Sequence, residues 1–585
     1  MDNATTKGSL TTCIGIAAGV ALAAALGVPA ATAQESGISY TPVTDERLRA
    51  PDPGDWLMYR GTYDSWGYSP LDQITTENVA ELVPVWTLST GVTSGHESPP
   101  VVNDGVMFVT TPEDRVIAID ARTGEQLWLY ARQFPEDMAH PHRTNRGVGL
   151  YGDKVFHTTH DAFVVALDAV TGEVVWETAV ADYRTGYYMT IAPLVASGKV
   201  MVGASGGERG IRGFVVALDP ETGEEVWRSH TIPGPGEPGN DTWPGDTWQR
   251  GGASIWITGS YDPESNLTYW GTGNPGPWIG DQRPGDNLYT NSVVAFDADT
   301  GEIKGYHQYH HNGSWDWDEV SAPLLIDVPR DGRVIPTLVH PARNGYLWTL
   351  ERTAAGPIRF VEAQPYVDQN VFTAIDPVTG RPEYDDERKP GTDKPATFCP
   401  SLWGGKDWPP AAYSPQTGYL YIPANENLCS TMVGVEVDYV PGGGYTGASA
   451  QVFVVNGADH VGEIQAWDLA SGEEVWTHEF PTSQNWGPIL ATAGGLIFTG
   501  GTNDRYFRAF DARTGEILWE QRTNSGVIGV PSSYEIDGVQ YIAVQSGWGV
   551  DAQGMQRAVN AHFDSEKVVP QGGVVWVFAL RDDGR

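Results

Sequence analysis

Cysteine is scarce in this chain, with three in 585 residues. No C-x-x-C-H occurs, which excludes a covalently attached c-type haem. Positive charge is scarce as well: Lys and Arg number 36 against 74 Asp and Glu, a net charge of −38. Nucleic acid and anionic membrane surfaces are therefore poor partners. The acidity serves solubility, or docking to a basic protein. Helical periodicity of any length is missing, and no apolar run beyond the N-terminus is long enough to cross a bilayer.

The N-terminus itself carries an apolar run. Lys7 precedes IGIAAGVALAAALGV, and Ala31-Thr32-Ala33 follows. This is the layout of a secretory signal cleaved after Ala33; a retained membrane anchor is the alternative. The expected division is a signal at 1–33, a polar lead at 34–53 and one large domain at 54–585. Cys13 lies in the signal. Cys399 and Cys429 are left, and in an oxidising compartment such a pair suggests one disulfide, the alternative being two buried thiols.

Gly (70) and Trp (22) are abundant, and both belong to a repeated phrase. It reads AIDARTGEQLW at 118–128, ALDAVTGEVVW at 166–176, ALDPETGEEVW at 217–227 and AFDARTGEILW at 509–519. AWDLASGEEVW at 466–476 and AFDADTGEIKG at 295–305 are close variants, and AIDPVTG at 374–380 is a fragment. Each copy stands between alternating, β-branched runs, so it reads as strand, turn, strand. The Asp can bond its own turn, Gly supplies a backbone conformation other residues resist, and the Trp can wedge between neighbouring sheets. A unit recurring at roughly fifty residues implies stacked copies of one supersecondary element. The expected fold is all-β, an eight-bladed β-propeller with a tryptophan in its blade repeats. The strand VVWVFAL at 574–580 would complete a blade begun near the N-terminus. Unrelated hairpins in a sandwich are the alternative, but a sandwich does not require a recurring Trp.

The repeat is interrupted by a Gly/Pro/Trp-rich stretch at 228–255 and an irregular one at 380–460. Insertions in repeat folds collect on one face, often the binding face. Three clusters lie off the phrase: GGERG at 206–210, GTGNPGPW at 271–278 and HHNGSWDWDE at 310–319. Glu208, Asn274, Asp316 and Asp318 offer the hard oxygens that calcium-like ions take. Taken singly, each also reads as a turn former.

Together, the repeat phrase, SGGERGIRG, GTGNPGPW and WDWD resemble the quinoprotein alcohol dehydrogenases, from about Asp55 to about Leu580. The resemblance implies a periplasmic propeller that holds pyrroloquinoline quinone (PQQ) above a metal ion. It implies Glu208 and Asn274 as metal ligands, Asp316 as catalytic base beside the ion, and Trp256 as the ring beneath the quinone. Glu97, Arg146, Thr190, Ser205, Gly206 and Gly207 match groups around the cofactor's carboxylates and carbonyls. Arg343 matches the cation near its reactive oxygens, while Asp407, Trp408 and Trp486 match pocket residues. Asp407 stands where many relatives have Asn. Electrons would leave to an external acceptor such as a soluble cytochrome c, the substrate would be a small-molecule alcohol, and a homodimer is compatible. A sugar or polyol dehydrogenase of the same fold, or a non-catalytic propeller scaffold, are the rival readings. A scaffold has no reason to keep Glu208, Asn274, Trp256 and Asp316 together.

Two departures stand out. Many relatives have adjacent cysteines just before the N-R-G at 145–147; here the stretch is His140-Pro141-His142-Arg143-Thr144, so either histidine would occupy that space, or the loop is solvated. Second, an Asp two residues after the base marks lanthanide-dependent members, and Asp318 stands there. An added carboxylate better neutralises a trivalent ion, so the metal is expected to be a lanthanide or calcium, unless Asp318 only caps its turn.

Overall fold

The computed structural model describes residues 40–138, 142–330 and 332–581. The expected signal, the first residues of the lead and His140 lie outside the described residues. The described residues form one compact unit.

The phrase at 118–128 shows how the chain builds this unit. Asp120 Oδ1 accepts from the backbone N–H groups of Arg122 and Thr123, both at 2.9 Å. Gly124 then turns the chain with φ +78°. The strands Arg115–Asp120 and Gln126–Ala131 pair across that turn, and Val101–Asn103 and Val106–Thr111 complete an up-and-down sheet. Among the described residues there are seven four-stranded sheets and one five-stranded sheet. Their inner strands are almost wholly buried, as at Val106–Thr111 and Phe214–Leu218.

The Trp of each phrase finds its partner in the next sheet. Trp128 Nε1 donates to the carbonyl of Ala169, directly after Asp168 of the following copy, at 3.0 Å. Trp86 bonds Ala121, Trp176 bonds Pro220, and Trp227 bonds Ala298 in the same way, each at 3.1 Å; Trp476 bonds Ala512 at 3.2 Å. Each ring also lies against the next turn's glycine. A Cβ on Gly172 would stand 2.6 Å from the Trp128 ring, and one on Gly515 would stand 2.5 Å from Trp476. The glycine thus serves both the turn and the wedge. Gly172→Val should cost about 3 kcal/mol, because it adds overlap with an indole to a left-handed backbone that β-branched residues resist. A thermal melt would check this, and an unchanged Tm would refute the wedge.

The strand Val574–Leu580 pairs with Leu82–Ser89 on one side and Val539–Ser546 on the other. Chain start and chain end therefore share a sheet, as the sequence leads one to expect. The disulfide is present between Cys399 and Cys429, with an S–S distance of 1.98 Å. No helix among the described residues is long and apolar enough to cross a membrane.

One expectation is corrected. Helical periodicity is not absent: besides the short helix α1 (Asp45–Arg49), helix α2 runs over Val550–His562. Its buried residues Ala552, Met555, Gln556 and Val559 have the i, i+3, i+4, i+7 spacing of one helical face. That face packs on a cluster containing Trp256, Trp408, Trp486 and Trp548.

Candidate active site

A cavity of about 340 Å³ opens among the loops at one end of these sheets. Its wall includes Arg146, Thr190, Ser205, Gly206, Glu208, Trp256, Asp316, Asp318, Arg343 and Asp407, residues spread over some 260 positions of sequence.

Local geometry explains how each reaches the cavity. The strand Lys199–Gly203 runs into a 3₁₀ turn, Gly207–Arg209, which presents Glu208. Gly206 before it has φ +118°, and a Cβ there would stand 2.4 Å from the carbonyl of Gly186. Only glycine fits. Ser205 is held by its N–H to Tyr188 O at 2.8 Å and by its hydroxyl to Thr190 Oγ1 at 3.2 Å.

In WDWD, alternate side chains point opposite ways. Trp315 and Trp317 stack at 5.1 Å and donate to the carbonyls of Arg388 and Ser401. Both are fully buried on the aromatic side, which leaves Asp316 and Asp318 to face the cavity. Asp316 has φ +64°, in the left-handed region that Asp and Asn enter more readily than other non-glycine residues. Asp318 does not merely cap its turn. Its Oδ1 accepts from the backbone N–H of Asn274, and its Oδ2 accepts from Trp256 Nε1 at 3.0 Å. It thereby ties together two other expected site residues.

The oxygen groups are electrostatically crowded. Burial raises the Asp316 carboxyl well above its ordinary range, and the carboxylates of Glu208 and Asp318 push it further. Burial, then Asp318, raises Glu208 too. Asn274 Oδ1 is buried with no hydrogen-bond partner, and it lies beside Gly207. Carboxylates that repel one another, together with an orphaned amide oxygen, are the donor set a hard cation would satisfy. Among the described residues, no three His, Cys, Asp or Glu side chains are already gathered at metal-ligand spacing; the set here mixes carboxylates with that amide.

The opposite charge comes from two arginines. Arg343 Nη2 meets Asp407 Oδ1 at 2.5 Å and Asp318 Oδ2 at 3.8 Å. Burial lowers its pKa, but Asp407, Asp318 and Asp316 outweigh that and keep it fully charged. Arg146 pairs with Glu97 at 2.9 Å and donates to Thr190 Oγ1 at 2.6 Å. Both guanidiniums lie over the Trp256 ring, at 4.8 Å for Arg146 and 5.7 Å for Arg343. An indole flanked by cations and carboxylates can seat a flat, polyanionic ring system beside a metal.

Not every expected residue lines the cavity. Glu97 sits behind Arg146, and Trp408 is 5.0 Å from the same guanidinium. Trp486 is fully buried in the cluster beneath Trp256, while Gly207 and Asn274 stand behind Glu208 and Asp318. Reasoning from sequence passed over Tyr188, Arg209, Leu402, Trp403 and Asp551, all in the wall, and gave Trp278 no role. Arg209 adjoins Glu208, and Trp278 ends the GTGNPGPW motif, so adjacency was the available signal. Asp551 had none beyond the helical spacing that follows it. Glu319 was also passed over. It accepts from the backbone N–H of Arg343 at 3.1 Å, from Asn344 Nδ2 at 3.1 Å and faces His340 Nε2 at 2.9 Å, so it fixes the loop that carries Arg343. Burial lifts its carboxyl to about 8.

Comparison with known proteins finds relatives over most of the chain. The family model described as PQQ, glucose/ethanol/alcohol dehydrogenase, beta-propeller domain, matches residues 56–379 and 482–542. The quinoprotein alcohol dehydrogenase PedH of Pseudomonas putida is 39% identical over 575 residues, covering 93% of this chain and 94% of that protein. The lanthanide-dependent methanol dehydrogenase of Methylacidiphilum fumariolicum is 38% identical over 546 residues, 88% of each. Among solved structures, a europium-containing methanol dehydrogenase superposes with a TM-score of 0.85 at 36% identity, covering 92% of this chain and all of the other. The sheets are those of a β-propeller, and the chain belongs to the PQQ-dependent quinoprotein alcohol dehydrogenase family.

Proposed function

We propose that this protein oxidises an alcohol to an aldehyde or ketone, using PQQ and one lanthanide or calcium ion. The observation that carries this reading is the convergence of Glu208, Asp316 and Asp318 with Arg343 around the Trp256 ring in one cavity. Glu208, Asn274, Asp316 and Asp318 would hold the ion. Trp256 would lie beneath the quinone, with Arg146, Thr190 and Ser205 at its rim and Arg343 near its carbonyls. When bound, PQQ supplies a two-electron oxidant and the metal the Lewis acidity that polarises it.

The chain's own residues do the rest. Asp316 accepts the proton from the alcohol hydroxyl, which frees the carbinol carbon to give up hydride. Its position is fixed by the stacked Trp315 and Trp317 on either side of it in sequence. Arg343 is held by Asp407 on one side and by the Glu319 network on its backbone, so its charge is delivered without reorganisation. Trp403 and Leu402 bring apolar surface to the wall and limit water.

The eight larger sheets would form one eight-bladed ring within 54–585. Supporting this, Trp519 Nε1 bonds Leu82 O at 2.9 Å, Arg330 bonds Ala470 O at 2.7 Å, and Gly305 stands against Gly356, in addition to the Trp contacts above. The N-terminal pattern supports export to the periplasm, and the lack of a C-x-x-C-H supports an external acceptor such as cytochrome c.

A dye-linked assay of apo-protein supplied with PQQ, and with calcium or lanthanum separately, tests the function over a panel of primary alcohols, secondary alcohols and aldoses. No turnover under any combination would overturn it. Asp318→Ala should weaken lanthanum-supported turnover more than calcium-supported turnover, because the lost carboxylate matters more to the higher charge. Equal losses would assign Asp318 to structure alone.

A further inference from the structure

The segment from His142 to Thr144, before the N-R-G tripeptide, forms one lip of the cavity. Its inner end is firmly held. Asn145 Nδ2 donates to Thr158 O at 2.9 Å, and Arg146 N donates to Thr190 O at 3.0 Å. The carbonyl of His142 faces His160 Nε2 at 2.5 Å. His160 Nδ1 in turn faces Asp114 Oδ2 at 2.9 Å. Both ring nitrogens of His160 thus face oxygen acceptors, the arrangement of an imidazolium.

The opposite lip is the first turn of α2. That helix is anchored through Ala552, Met555 and Val559 on the cluster beneath Trp256, and Gln484 Nε2 donates to Ala552 O at 2.9 Å. Between the two lips, His142 Nε2 lies 3.2 Å from Asp551 Oδ2. Both side chains line the cavity, and they are 28% and 43% exposed, as befits a contact at its mouth. The partners are 409 positions apart in sequence, so the contact ties two otherwise separate parts of the rim.

We propose that the His142–Asp551 ion pair is a non-covalent clasp across the mouth of the cavity that slows the release of PQQ. The pair restrains the lip without a covalent bond. The proposal rests on the reading of the cavity as a PQQ site.

The groups facing His142 are Asp551, Glu97, Glu208, Arg146 and, through its carbonyl, His160. Burial lowers the His142 pKa, but Asp551 and Glu97 outweigh it and hold it above 6.5. Burial likewise opposes ionisation of Asp551, yet His142 keeps that carboxyl below 3.8. A raised imidazole pKa gives a contribution present at low and neutral pH and lost as pH rises through that value. The clasp should therefore loosen at alkaline pH.

The test loads the wild type, His142→Ala, Asp551→Ala and the double variant with PQQ and metal, and follows the loss of PQQ absorbance from the protein after dilution into a trap. Each single variant should release PQQ about fivefold faster at neutral pH, the scale of a half-exposed ion pair. The double variant should be no faster than either single one, since both remove the same contact. Wild-type release should accelerate as the pH rises above neutral, towards the variant rate, while the variants stay flat. Release unchanged by the single variants, additive losses in the double variant, or a wild-type profile parallel to the variants would each overturn the clasp. A wild type that takes up no PQQ at all would overturn the reading of the cavity instead.

Discussion

Asp316→Asn should lower kcat by about 10³-fold with every alcohol, while metal content and bound PQQ stay as in the wild type. Asparagine has nearly the same shape and keeps one oxygen for the ion, but it cannot take a proton. The backbone at Asp316 sits at φ +64°, a conformation asparagine tolerates well, so the fold should be kept. Trp315 and Trp317, which lock the segment, are untouched. Single-turnover measurement on the loaded variant isolates the chemical step from product release. A loss of less than tenfold would remove Asp316 as base and leave it only as a ligand.

Withdrawal of the metal should have an effect as large. Chelation should abolish turnover and lower the Tm, and lanthanum should restore both. The ion binds the folded chain alone, so at a thousandfold excess over Kd it adds about 4 kcal/mol to stability. Without it, Glu208, Asp316 and Asp318 share a buried space, where burial first and the neighbouring carboxylates second raise the proton affinity of Asp316 and Glu208. Glu208→Ala provides the control: its Tm should respond little to added ion. A Tm equally sensitive to the ion in both proteins would place the metal elsewhere.

The propeller was legible because its signal is local. Asp, Gly and Trp recur within eleven residues, and each does its work in or beside its own turn. What the phrase could not show was the partner of each Trp, a carbonyl one sheet further on. Helix α2 was missed because a single thirteen-residue amphipathic face is easily lost among strands. In the site, WDWD stood out through its resemblance to the quinoprotein alcohol dehydrogenases, and folding shows its alternation, two rings in and two carboxylates out. The Glu97–Arg146 pair and the Glu319 network could be placed only once the loops were folded. The Asp551 contact with His142 lies in no motif, and spacing cannot reveal a contact across 409 residues.

The sheet shared by Leu82–Ser89 and Val574–Leu580 bears on how the protein is made. The terminal strand is interior to that sheet, with neighbours on both sides. During synthesis the early strand must therefore wait for nearly the whole chain before it finds its partner, and the sheet cannot be finished on the ribosome. A premature stop anywhere before residue 574 would leave the early strand with an open edge, which is a template for aggregation.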